Sequence, residues 1–245
     1  MKGERTKVKG ILILFFLSIF NFQFSICSAQ PRLRTPEYYL GVHGGVTAST
    51  VSFNPTVNNM TPITKACVLG GNGGVVFRYA GHKYCALQVE LNYLHRGWAE
   101  HNDTIGSYSR NLHYIEIPFM MHLNFGSKKC RWFLNLGPQI GYCIADEGNH
   151  GTLVNGASEA QYQSIEQPFD WSVAAGTGIL FPTPHAGTYQ IEVRFDYSFG
   201  GIFRTNLTDH FRAASPMDLS LNIGWLFPVQ RKVKIDNQKR YENKL

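Results

Sequence analysis

Residues 188–199 read TYQIEVRFDYSF. Tyr189, Ile191, Val193, Phe195, Tyr197 and Phe199 alternate with Gln190, Glu192, Arg194, Asp196 and Ser198, a period of two that makes a two-faced β-strand. One face is apolar and the other is polar or charged. A soluble sandwich buries the apolar row, whereas a membrane barrel turns that row outward to lipid and closes around the polar one. The rest of the chain decides between them.

The same alternation occurs seven more times, each time in a run rich in β-branched and aromatic residues. The apolar rows are Leu40, Val42, Val46; Leu69, Val75, Phe77, Tyr79; Leu87, Val89, Leu91, Tyr93; and Ile115, Ile117, Phe119, Met121, Leu123, Phe125. They continue with Trp132, Leu134, Leu136, Ile140, Tyr142; Phe169, Trp171, Val173, Ile179, Phe181; the opening stretch; and Met217, Leu219, Leu221, Ile223, Trp225, Phe227. Eight antiparallel strands are an even number, as an outer-membrane barrel of one chain uses. The connections point the same way. AGHK, GSKK and PTPHAG are short and turn-like, and they alternate with longer polar stretches at about 50–65, 99–110, 145–168 and 201–215. A sandwich has no reason to place every long loop at one end. Aromatic residues fall into two groups, Tyr79, Phe125, Trp132, Phe181, Tyr189, Trp225 and Phe227 at the short-turn end, and Tyr93, Tyr142, Trp171, Tyr197 and Phe199 at the other, as two interfacial girdles would require. The expected fold is therefore all-β, an eight-stranded antiparallel up-and-down transmembrane barrel in the outer membrane. Its apolar rows face lipid, and an eight-stranded interior is narrow enough for side chains to fill.

The N-terminus supplies the compartment. Lys2, Arg5, Lys7 and Lys9 precede the apolar run ILILFFLSIFNFQF, and Cys27-Ser28-Ala29 offers small residues before Gln30. That is the layout of a secretory signal peptide, residues 1–29, cut between Ala29 and Gln30. The run is shorter than the roughly 20 apolar residues of a spanning helix. A periplasmic segment 30–37, a barrel over 38–227 and a basic periplasmic tail over 228–245 complete the expected organisation.

The formal charge of +6 falls to +3 without the signal, and Arg231, Lys232, Lys234, Lys239, Arg240 and Lys244 in the tail carry most of what is left. The net excess of positive charge thus belongs to the two ends, which speaks against a nucleic-acid face. The expected surroundings are outer-membrane lipid. Cys67, Cys85, Cys130 and Cys143 show no metal-ligand spacing, and their expected places in the wall are too far apart for two bridges.

YYLGVHGGVTAS (38–49), LQVELNYLHRGW (87–98), LHYIEIPFMMHLNFG (112–126), FLNLGPQIGY (133–142) and IEVRFDYSFGGI (191–202) resemble the PorT-type outer-membrane β-barrel family. That family has, in order, a Gly-rich first strand, a strand with E-L-x-Y, a Y-[IL]-E-[IL]-P strand and a G-P-x-[IL]-G-Y strand. The matching residues are Glu90, Leu91 and Tyr93, then Tyr114 to Pro118, then Gly137, Pro138, Gly141 and Tyr142. The resemblance covers about Tyr38 to Phe227. It implies an eight-stranded outer-membrane barrel linked to type IX protein export to the cell surface, with secretion-machinery proteins met through the tail or loops. A structural or adhesive barrel, or a small porin, is the alternative.

The inward rows gather Glu90, Glu116, Asp170, Glu192, Asp196 and Asp218 with Arg78, Arg96, Arg131 and Arg194, plus His43 and His122. Charges at membrane depth pair or meet water, so these are expected to form a structural ion network, with Arg194 bridging Glu192 and Asp196. His95 and His113 flank a loop without a serine nucleophile beside them, and no cofactor motif or metal set accompanies them. No enzyme is expected. GGNGGV at 70–75 lacks G-K-[ST] and a following helix, so it reads as barrel wall and not as a phosphate loop. Pro118 and Pro138 lie inside strands, where bulges would accommodate them.

Overall fold

The computed structural model describes residue 18 and residues 32–55, 64–102, 106–127, 129–149, 168–184, 186–199 and 211–229. These form eight strands: β1 (Arg32–Pro55), β2 (Thr64–His82), β3 (Cys85–Asn102), β4 (Gly106–Gly126), β5 (Arg131–Asn149), β6 (Phe169–Thr183), β7 (Gly187–Ser198) and β8 (Phe211–Pro228). Each pairs antiparallel with the next, and β8 returns to β1 to close the barrel. The signal and its cleavage point, the tail beyond 229 and most of the long-loop residues lie outside the described residues.

The alternation resolves as the membrane reading requires. Ile191, Val193 and Phe195 are 44–45% exposed, whereas Glu192 and Arg194 are 1% and 3% exposed. Among the described residues the buried set holds more polar and charged side chains (23) than apolar ones (14). A soluble sandwich would reverse that ratio. Met121 departs from its row. It shares the outward parity of Ile117 and Phe119, yet it is 3% exposed and packs with Cys85, Leu87 and Leu123.

The strands run further at the long-loop end than the hydrophobic pattern indicated. β3 continues to Asn102 and β4 starts at Gly106, so most of 99–110 is paired strand, joined through 103–105. Likewise β1 extends to Pro55, β5 to Asn149, and β8 begins at Phe211. At the other end β1 begins at Arg32, inside the segment expected to precede the barrel. Backbone ladders bond without regard to side-chain polarity, so pairing outlasts the apolar row.

Neither proline sits at a bulge. The β4–β5 ladder passes from Pro118↔Gln139 to Met121↔Leu136 in unchanged register, and Pro138 pairs with Val173 in the even register of β5–β6. What changes register is the step between His113 and Tyr114. The glycine run is barrel wall, as expected, and β2 shifts register against β3 between Cys67 and Asn72 at its edge. Cys67, Cys130 and Cys143 are free, so no two of these four pair with one another.

Aromatic contacts gather at both rims. Tyr38 meets Tyr79 (5.3 Å), Phe125 meets Trp132 (5.9 Å), and Trp225 meets Tyr189 (5.9 Å) and Phe227 (3.9 Å) at the short-turn end. Phe169–Trp171 and Tyr197–Phe199, both at 5.2 Å, mark the other. Each pair keeps an amphipathic belt where apolar wall gives way to water.

Candidate functional site

The interior of the barrel is organised in layers. Toward the short-turn end the inward apolar residues Ala86, Met120, Phe133, Leu180 and Leu226 are buried among Arg78, Gln88, His122 and Gln190. Small wall residues make room for the large ones. A Cβ on Gly178 would stand 2.7 Å from the Phe133 ring and closer still to the Ile191 carbonyl oxygen.

Above that layer lies an ion network centred on Arg194. Its guanidinium donates to both oxygens of Glu90, at 2.7 and 2.9 Å, and to both of Glu192, at 3.0 and 3.1 Å. Two forked pairs on one arginine is the strong, oriented form of this interaction. Glu90 also accepts from Gln88 (2.5 Å) and Asn92 (2.8 Å), and Glu192 accepts from Asn135 (2.9 Å). Arg78 donates to Gln88 (2.7 Å) and Gln190 (2.8 Å). His43 meets Asn92 at 2.8 Å, and His122 meets Asn135 at 2.7 Å.

A second cluster, nearer the long-loop end, surrounds Arg96. It reaches Asp170 at 2.8 Å, Asp218 at 3.2 Å and Glu116 at 3.5 Å, and its guanidinium lies 3.7 Å over the Tyr114 ring. Ser198 donates to Asp170. Beyond it Val51, Trp98 and Leu112 are buried, Arg110 packs on Trp98, and Arg110 pairs with Asp146.

Five of the six acids and the central arginine named from the sequence thus enter these two clusters, and one expected contact is corrected. Arg194 spends its donors on Glu192 and on Glu90 from a distant strand, not on Asp196. Asp196 stands opposite Asp218 in the β7–β8 register, and its Oδ1 has no hydrogen-bond partner. The reason is reach: the barrel brings β3 across from β7, a proximity that spacing along one strand cannot reveal. Arg131 has the inward parity but is only partly buried. Sequence reasoning missed the inward apolar residues and Arg110, because single apolar residues on a polar row look like noise in the alternation.

The space left inside is small. A void of about 10 Å³ is bordered by Thr47, Asn72, Glu116, Gln139, Arg194 and Asp196 among others. Among the described residues no group of three or more His, Cys, Asp or Glu is arranged to hold a metal ion.

His95 and His113 do not merely flank a loop. They are direct cross-strand partners on the outer face of β3 and β4.

A closed eight-stranded barrel with an apolar exterior, two aromatic rims and a charged interior defines an integral outer-membrane protein. The outer membrane protein beta-barrel domain family matches residues 29–227, and the chain belongs to that family, which places it in the bacterial outer membrane. No curated protein matches the sequence. Among solved structures, OprG of Pseudomonas aeruginosa is similar at 9% identity, with 81% of this chain and 98% of that one covered and a TM-score of 0.49. Neisserial surface protein A is similar at 12% identity, covering 79% and 100%, with a TM-score of 0.42. Ail of Yersinia pestis, the attachment invasion locus protein, is similar at 14% identity, covering 78% and 99%, with a TM-score of 0.39.

Proposed function

We propose that this barrel is a non-enzymatic component of protein export to the cell surface, of the type IX kind implied by the PorT resemblance, and that it acts by contact and not by conduction. The observation that carries the reading is the filled interior. Side chains from every strand occupy it, with the Glu90–Arg194–Glu192 and Arg96 clusters across its middle and mixed apolar and polar side chains toward both ends. An exported protein has no route through such a barrel. Contact surfaces are available outside it, in the loops and in the basic stretch 228–245, which the barrel itself does not need. Both ends of the barrel chain emerge at the short-turn end, where β1 starts and β8 finishes. In this reading that end is periplasmic, and the basic tail meets machinery there.

Deletion of the gene followed by cell fractionation tests the reading. Surface-destined proteins should accumulate inside the cell in unprocessed form, and truncation after Phe227 should weaken export while leaving the barrel in the membrane. Normal delivery in the deletion strain would make it a structural or adhesive barrel instead. An altered lipid profile in that strain, with export intact, would make it an enzyme.

A further inference from the structure

The ion networks leave several buried polar atoms over, and five of them border one small space. Thr47 Oγ1 on β1, Asn72 Oδ1 on β2, Glu116 Oε1 on β4, Gln139 Nε2 on β5 and Asp196 Oδ1 on β7 belong to residues around the void of about 10 Å³, and among the described residues none of the five atoms has a hydrogen-bond partner. Thr47, Glu116, Gln139 and Asp196 are only 1–7% exposed. Glu116 Oε1 comes within 3.5 Å of Arg96, which makes an ion pair without a hydrogen bond. Buried polar groups in native proteins are almost always paired, and an unpaired charged one is the costliest kind. Five strands that each turn such an atom to the same void make a site.

We infer that this void binds one water molecule, which joins the Arg194 and Arg96 clusters into a single hydrogen-bonded network. Size is the first reason. About 10 Å³ is roughly one probe sphere, which is the least that a water needs, and it shuts out any organic molecule. Chemistry is the second. The Gln139 amide and the Thr47 hydroxyl offer protons, whereas Glu116, Asp196 and Asn72 offer oxygens. Water suits a border of both kinds, since it accepts from the first two and donates to the oxygens. An anion would face two carboxylates, and a bare cation would meet the amide protons of Gln139. The position gives the water its role. Glu116 belongs to the Arg96 cluster, Arg194 itself lines the void, and Asp196 is the inward neighbour of Arg194 on β7 whose Oδ1 receives none of the arginine donors.

A crystal structure of the full-length barrel at a resolution that shows ordered solvent tests this directly. One peak is expected within hydrogen-bond distance of Thr47 Oγ1, the Gln139 amide and at least one of the two carboxylates. Side chains closed directly on one another with no peak between them would overturn the inference. So would a peak with the contacts of about 2.4 Å that a hard cation makes. Thr47→Val gives an independent test, because its sign depends on the occupant. The change keeps the shape and removes the hydroxyl: in a dry site it would delete an unpaired buried group and stabilise the barrel, whereas at a water site it breaks one of the water's bonds. Urea unfolding in lipid vesicles should show a folding equilibrium constant lowered roughly fivefold, with the heat-dependent gel shift confirming that the variant forms the barrel. An unchanged or raised constant would mean that the site is dry and the inference wrong.

Discussion

At the scale of single residues, Arg194 is the most consequential side chain in the barrel. It is 3% exposed and is the shared cation of Glu90 and Glu192, so Arg194→Leu leaves two buried carboxylates facing each other. Removing one partner of a buried ion pair costs about 3–5 kcal/mol. Urea unfolding of the barrel in lipid vesicles should show a loss of that size. Neutralising both acids in the same variant, by Glu90→Gln and Glu192→Gln, should recover much of it, because amides tolerate burial without a counter-ion. If the single variant is as stable as the parent, water reaches this layer. Gly178 makes a contrary prediction about size and not charge. A methyl group there meets the Phe133 ring and a backbone oxygen that cannot withdraw. Gly178→Ala should therefore cost about 1–3 kcal/mol, as overpacking does, and Phe133→Leu in the same chain should relieve part of the penalty.

Strands and hairpins show how far the pattern of residues can be trusted. The period-two alternation in residues 188–199 reproduces the burial of β7 position by position. Faces and strand order were legible because one face of each strand meets lipid throughout, so a slip by one residue would put charges into hydrocarbon. Strand ends were not legible. From Ala99 to Asn102 and from Gly106 to Ser109 the side chains lose the apolar row, yet Ala99 still pairs with Ser109. A chain with Ala99→Cys and Ser109→Cys, its native free thiols replaced, should cross-link on mild oxidation inside one molecule. Failure to do so would return 99–110 to a loop. The candidate network was legible in its membership and illegible in its pairing. Glu192, Arg194 and Asp196 are neighbours on one row, but Arg194 prefers Glu90, 104 residues earlier in the chain. The histidine pair shows the same limit, since 18 residues separate two rings that the β3–β4 register places face to face.

For the molecule as a whole, closure by β1 against β8 removes every free strand edge. The purified protein should run at different positions on a denaturing gel before and after boiling, and it should show no stable conductance steps in a planar bilayer. Reproducible steps would mean that the filled interior opens. The placing of the arginines argues that it does not. Arg194 on β7 is tied to Glu90 on β3, Arg96 on β3 to Asp170 on β6 and Asp218 on β8, and Arg78 on β2 to Gln190 on β7. Each of these contacts crosses the barrel instead of following its circumference. Mechanically they are the spokes of a wheel. Parting the rim at the β1–β8 seam would also require breaking these cross-barrel spokes, so they brace the wall against opening at that seam. On the export reading proposed above, a partner that leans on this barrel would lean on a braced post, and the movement in such an assembly would fall to the partner.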